Sequence, residues 1–125
     1  MTISELVNRA HDNAVKHGFW EPAPELGTAI ALIHSELSEA LEEEREGNAV
    51  MYFHDCVTGE AKTDVAELRD DHSGRFKPEG LASELADVVI RTADLCGHLG
   101  IDLETVIRLK MDFNETRPYK HGKKF

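Results

Sequence analysis

Two stretches repeat one pattern, and it restricts the fold more than anything else in the chain. Ser35-Glu36-Leu37-Ser38-Glu39-Ala40 returns as Ser83-Glu84-Leu85-Ala86-Asp87-Val88. Each copy carries two acids three residues apart with a leucine between them, set in an apolar pattern of helical period. Positions i and i+3 of a helix share one face, a turn apart. Each copy therefore presents two carboxylates side by side. If the two helices pack together, four carboxylates gather at one place. If they do not, the acids are the solvated border of two apolar stripes.

Start and stop signals delimit four helices. Thr2-Ile3-Ser4-Glu5 has the form of a capping box, and Ile3, Leu6, Val7, Ala10 and Ala14 follow helical spacing as far as Gly18. Pro22 and Pro24 keep a helix interior out of the next few residues. The second helix is expected from Pro24 or Glu25 to Glu46, with Gly47 as its stop. Its apolar stripe is Leu26, Ile30, Ile33, Leu37 and Leu41, expected to face the core. At about 100° per residue, Glu36 and Glu39 fall roughly 100° and 160° to one side of Leu37, with Glu43 between them. The acids thus flank the stripe and would converge without burying charge. Glu42, Glu43, Glu44 and Glu46 crowd the C-terminal end, where the macrodipole disfavours acids, so helix stability does not call for them.

The third helix is expected to begin at Lys77-Pro78-Glu79 and to end at Gly100, with Leu81, Leu85, Val88, Val89, Thr92, Cys96 and Leu99 as its stripe. Arg91 and His98 continue the line of Glu84 and Asp87. Asp102 is placed to cap a fourth helix, apolar at Leu103, Val106, Ile107 and Phe113 and closed by Pro118. Between helices two and three, residues 47–77 hold a strand-like Val50-Met51-Tyr52-Phe53, a turn near Gly59 and a helical turn or two between Asp64 and Asp70. A connection of that length is expected to have structure or a role of its own, as a flap or a partner contact. The expected fold class is all-α: a four-helix core bundle in a single domain, 1–125, with a long, partly structured connector.

Charge and composition remove several functions. With 14 basic and 24 acidic residues the net charge is −10, which opposes binding to a nucleic-acid polymer. The basic exception is the end of the chain, where Arg117, Lys120, Lys123 and Lys124 occur without an acid. No apolar run reaches the length of a membrane span and no secretory signal precedes the first helix, so a cytoplasmic location is expected. Cys56 and Cys96 form no CxxC pair; they are two reduced thiols, the simpler reading, or one disulfide.

The remaining chemistry concerns cations and phosphates. Four carboxylates with no cysteine or paired histidines suit Mg²⁺ or Mn²⁺, which prefer oxygen ligands. The seven histidines show no HxxxH or HExxH spacing, and His34 falls on the other side of Leu37 from the acids. Lys110, Asn114 and Arg117 share one helical face, and with Lys120, Lys123 and Lys124 they offer donors suited to phosphate. A carboxylate-held cation beside a cationic arm is what a polyphosphate substrate needs. Trp20 is a core or lid anchor, or a surface on which a nucleobase stacks.

Glu36-x-x-Glu39, Glu84-Leu85-Ala86-Asp87, Gly100-Ile101-Asp102-Leu103 and Lys110-x-x-x-Asn114-x-x-Arg117-Pro118, in that order, resemble MazG-type nucleotide pyrophosphohydrolases, of the all-α NTP pyrophosphatase superfamily. Lys77-Pro78-Glu79-Gly80 and Tyr119-Lys120-His121-Gly122-Lys123 look like a small MazG-like subgroup. The resemblance spans helices two to four and the tail. It implies a helical bundle working as a homodimer or homotetramer that cleaves a nucleoside triphosphate to monophosphate and pyrophosphate with Mg²⁺. It implies Glu36, Glu39, Glu84 and Asp87 as metal ligands, with Glu36 or Glu39 orienting the attacking water. Lys110 and Asn114 would contact the substrate, with Arg117 or the tail lysines, Lys120 among them, near the phosphates. Two departures stand out. Many members have a glutamate where this chain has Ser35, for which Glu43 is a candidate substitute, and the connector is longer than the link of minimal members. A non-catalytic module that binds nucleotide or protein through the same acidic cleft is the alternative, and a purely structural bundle is the third reading.

Overall fold

The structure, a computed structural model, describes residues 1–124, apart from the side chain of Val65. Four helices dominate: α1 (Ile3–Lys16), α2 (Leu26–Arg45), α3 (Leu81–Leu99) and α4 (Leu103–Glu115). Between α2 and α3 lies a small antiparallel sheet of β1 (Tyr52–Asp55), β2 (Ala61–Lys62) and β3 (Phe76–Glu79), in the order β2-β1-β3. The all-α expectation therefore holds for the helices, and the connector adds a sheet to it. Short 3₁₀ turns occur at Val65–Leu68 and Tyr119–Gly122. Among the described residues no helix is long and apolar enough to cross a membrane. Both cysteines are free. The chain divides into two compact units, one of residues 1–23 with the chain from Thr92 onward, the other of Pro24–Arg91.

In the first unit, α1 opens on the capping box read from the sequence. The Glu5 N–H donates to Thr2 Oγ1 at 3.0 Å and the Thr2 N–H donates to Glu5 Oε2 at 2.8 Å. The core is Val7, Ala93 and Cys96, with Leu6, Ala10 and Leu103 packed against them. Gly97 allows the close approach of α1 to α3, since a Cβ there would lie 2.6 Å from the Cβ of His11. Asp102 caps α4, accepting from the Thr105 N–H at 3.1 Å and the Thr105 hydroxyl at 2.7 Å. Beyond α4, the Arg117 guanidinium lies 5.8 Å from the centre of the Phe113 ring.

In the second unit, β1 organises the connector. Its register with β3 pairs Tyr52 with Glu79, Phe53 with Pro78, His54 with Lys77 and Asp55 with Phe76. Lys77-Pro78-Glu79 is therefore strand, not the first turn of the third helix, which begins only at Leu81. Pro78 is tolerated because β3 is an edge strand, where a missing N–H breaks no ladder on the open side. Gly80 makes the switch from strand to helix at φ +97°; a Cβ there would come within 2.6 Å of the Val50 carbonyl oxygen. Asp55, only 2% exposed, pins the sheet. It takes a bidentate pair from Arg75, Nε to Oδ1 and Nη2 to Oδ2, each at 2.9 Å, and accepts the Val57 N–H at 2.9 Å. These bonds favour the ionised form and hold the Asp55 carboxyl well below the usual carboxylate range, the Arg75 bond foremost.

Helix α2 departs from expectation in the face it buries. Its ends match, with Glu25 as N-cap and Gly47 in the left-handed region. Yet Leu26, Ile30, Leu37 and Leu41 are all exposed, and the buried residues are Glu36, at 7% exposure, and Ala40, at 4%. On α3, Leu85, Val89 and Leu99, expected in the core, are exposed too. On α4 the same holds for Val106 and Phe113. The reason on α2 is steric and electrostatic. The small side chain of Ala40 permits close packing on the acid-bearing flank, and Arg91 of α3 reaches Glu36 from that side. A charge is therefore buried after all.

Candidate metal centre

The acid repeat converges within the second unit. Glu36 and Glu39 from α2 and Glu84 from α3 each bring one carboxylate oxygen to a place where all lie within 4.8 Å of one another. Glu36 is buried, Glu84 half-buried and Glu39 exposed. Asp87, the fourth acid expected there, lies one turn further along α3 and outside that trio, though its carboxyl feels the charge of Glu36.

The electrostatics are those of crowded carboxylates. Burial is the largest cause pushing the Glu84 carboxyl up to about 7; a hydrogen bond with Glu39 and the charges of Glu39, Asp87 and Glu36 add to it. The Asp87 carboxyl is also raised, by burial first and then by Glu36, against the opposing pull of Arg91 and Lys77. Glu36 is paired with Arg91, whose Nε donates to Glu36 Oε1.

One oxygen of the trio is orphaned. Glu84 Oε2 is buried and has no hydrogen-bond partner. Buried polar atoms are normally satisfied, and an oxygen left over among three convergent carboxylates fits a hard divalent cation. The donors are all oxygen, with no thiolate or imidazole, which suits Mg²⁺ or Mn²⁺ over softer metals.

A cleft of about 570 Å³ opens beside Glu39 and Glu84, lined also by Ser38, Glu42, Glu43 and Glu46. Glu43 is engaged by the connector. Asn48 Nδ2 donates to its Oε2 at 2.8 Å, and the Tyr52 hydroxyl donates to its Oε1 at 3.3 Å. Burial, then the negative charge of Glu43, pushes the Tyr52 phenol up. Ser35 turns back onto its own helix, its hydroxyl donating to the Leu32 carbonyl at 2.6 Å. His34 is exposed and stands outside the trio.

The other residues singled out in the sequence belong to the first unit. Lys110 and Lys120 are exposed, and Asn114 and Arg117 are half-buried. Lys120 takes a left-handed φ of 53°, as does His121. Trp20 is an anchor there. Its Nε1 donates to Asp94 Oδ1 at 2.8 Å, and its ring stacks on His98 at 3.9 Å and 9°. His11 Nδ1 lies 2.9 Å from the same Asp94 oxygen. The His11, Asp94 and His98 partners of Trp20 have no local sequence signal, since the fold alone joins them. Arg91 and Glu43 had one, as continuations of the acid lines.

Comparison with known proteins returned no family model, no curated protein and no solved structure that matches the chain.

Proposed function

We propose that the chain is a MazG-like, Mg²⁺-dependent nucleoside triphosphate pyrophosphohydrolase, releasing pyrophosphate and a nucleoside monophosphate from an NTP or dNTP, with a role in clearing the nucleotide pool. The observation that carries this is the meeting of Glu36, Glu39 and Glu84 around an orphaned carboxyl oxygen, on two helices that repeat one acid motif. Glu36, Glu39 and Glu84, with Asp87 beside them, would hold Mg²⁺ or Mn²⁺. Such an ion, when bound, neutralises phosphate charge and lowers the pKa of water.

The chain's own groups account for the rest. Glu39 is the exposed carboxylate of the trio and the one open to solvent, placed to orient and deprotonate a water; Glu36, held by Arg91, is fixed. Lys110, Asn114, Arg117 and Lys120 supply the charged and amide donors that a triphosphate requires. In this reading Trp20, held by Asp94 and His98, is the aromatic surface offered to a nucleobase. The test is pyrophosphate release by the purified protein against a panel of NTPs and dNTPs. Release with Mg²⁺ and its loss with EDTA are expected; no release from any nucleotide refutes the activity.

The exposed apolar residues support a homodimer or homotetramer. Leu26, Ile30, Leu37 and Leu41 on α2, with Leu85, Val89 and Ile90 on α3, leave an apolar surface of the kind that a subunit contact covers. Light scattering should give two or four times the chain mass of 14.0 kDa. A monomer at tens of micromolar removes this part of the proposal.

One observation favours the alternative, a non-catalytic module binding nucleotide or protein through the acidic cleft. Ser35 offers the site no carboxylate and bonds back to Leu32. The same panel separates the two, since that module binds nucleotide without turnover.

A further inference from the structure

We infer that Arg91 is an internal cation competing with the divalent metal for Glu36, so that the pair sets how much metal the site needs before it loads. This rests on the metal-site reading above and concerns its regulation. Glu36 is a buried carboxylate and needs a countercharge wherever the metal is missing. Arg91 supplies it through Nε to Oε1. The two partners differ in freedom. The Glu36 side chain is 9% exposed and fixed in place, whereas that of Arg91 is 45% exposed and can withdraw into water without leaving a void. Metal loading is therefore an exchange of cations at a stationary carboxylate.

The duplicated sequence shows the same thing from another side. The first copy continues from Glu36 and Glu39 to Glu43; the second continues from Glu84 and Asp87 to Arg91. The repeat reverses its charge at this one position. Glu43 is turned to the connector by Asn48 and Tyr52, whereas Arg91 turns to the trio. A guanidinium four residues beyond Asp87 stays on the acid flank by helical register, so the competitor is always at hand.

A unit positive charge beside a dication at a partly solvated site weakens its binding by about tenfold. The test is titration of the full chain with Mn²⁺ at fixed ionic strength, followed by EPR, in the wild type, Arg91→Gln and Arg91→Lys. Arg91→Gln should bind Mn²⁺ about tenfold tighter and melt earlier without metal, the difference in melting closing at saturating Mn²⁺. Arg91→Lys, which keeps a cation, should stay close to the wild type. Equal or weaker Mn²⁺ binding by Arg91→Gln, with a wild type that binds, overturns this inference and leaves the metal site standing. Silence from all three proteins overturns the metal site and the inference together. A second measurement needs no variant. On adding Mg²⁺ to the wild type, the Arg91 Nε–H resonance should shift and lose protection from exchange; an unchanged resonance in Mg²⁺-saturated protein also overturns the inference.

Discussion

Glu39→Gln is expected to lower Mg²⁺-dependent pyrophosphate release by about 10²–10⁴-fold, the range for loss of a general base, and Asp87→Asn by about 10–100-fold, the range for groups around a metal's ligands. The two acids occupy equivalent places in the sequence repeat, but the geometry separates them. Glu39 belongs to the trio whose oxygens lie within 4.8 Å of one another, and Asp87 does not. Glutamine keeps the size of Glu39 but can neither accept a proton from water nor bring negative charge to a cation. Asp87 acts through its neighbours, its charge coupled to Glu36 and Glu84. Because Glu39 is exposed and its charge repels Glu84, its substitution should not destabilise the metal-free protein at neutral pH, so lost activity reports on chemistry and not on unfolding. Steady-state kinetics with the preferred nucleotide measure both effects, and kcat should carry most of the Glu39 loss. Activity within threefold of wild type in Glu39→Gln removes the acid trio as the site.

Helix ends were legible where their causes are local. The Thr2–Glu5 box, Gly47 after α2 and the Asp102 cap each depend on residues within a turn of one another. So was the pairing of acids within each motif, which helix geometry fixes. The inward face of α2 was not. Amphipathic spacing ranks Leu26, Ile30, Leu37 and Leu41 as a stripe, but it does not say which flank a neighbouring helix can approach. Ala40 and the ion pair of Glu36 with Arg91 decide that, and the pair depends on a residue far along the chain. Pro78 shows the same limit. A fixed φ suits the first turn of a helix and an edge strand alike. The choice was made by pairing with Phe53, which no local window contains. For Trp20, the single position allowed an anchor or a platform, and the bonds to Asp94 and His98 fix it in its own unit.

Metal-free protein is expected to lose stability as the pH rises from 5 to 8, and Glu84→Gln to remove most of that loss. The Glu84 carboxyl titrates at about 7 in the folded chain against an ordinary value of 4.5. Below 4.5 it is protonated whether the chain is folded or not, and its contribution is complete. Between the two values the unfolded chain releases the proton that the folded chain keeps, so rising pH favours unfolding. Above about 7 both states are ionised and the loss levels off. Asp87, raised in the same direction, adds to the slope. Asp55, Asp71 and Asp102 are lowered below their ordinary 3.8, so their stabilisation is lost only on acidification and falls outside this window. With solvent screening of the half-buried carboxyl, Glu84 accounts for about 1–2 kcal/mol, or roughly 5–10 °C in melting temperature. Glutamine mimics the protonated acid, since its amide can donate to Glu39 and has no proton to lose. Calorimetry of the two proteins should give melting curves that coincide near pH 5 and separate by pH 8, with the variant higher. Mg²⁺ should reverse the order at pH 8, because a cation that replaces the proton stabilises the wild type and finds one carboxylate fewer in the variant. Parallel pH profiles with and without Mg²⁺ would place the proton elsewhere and leave the orphaned Glu84 oxygen without a role.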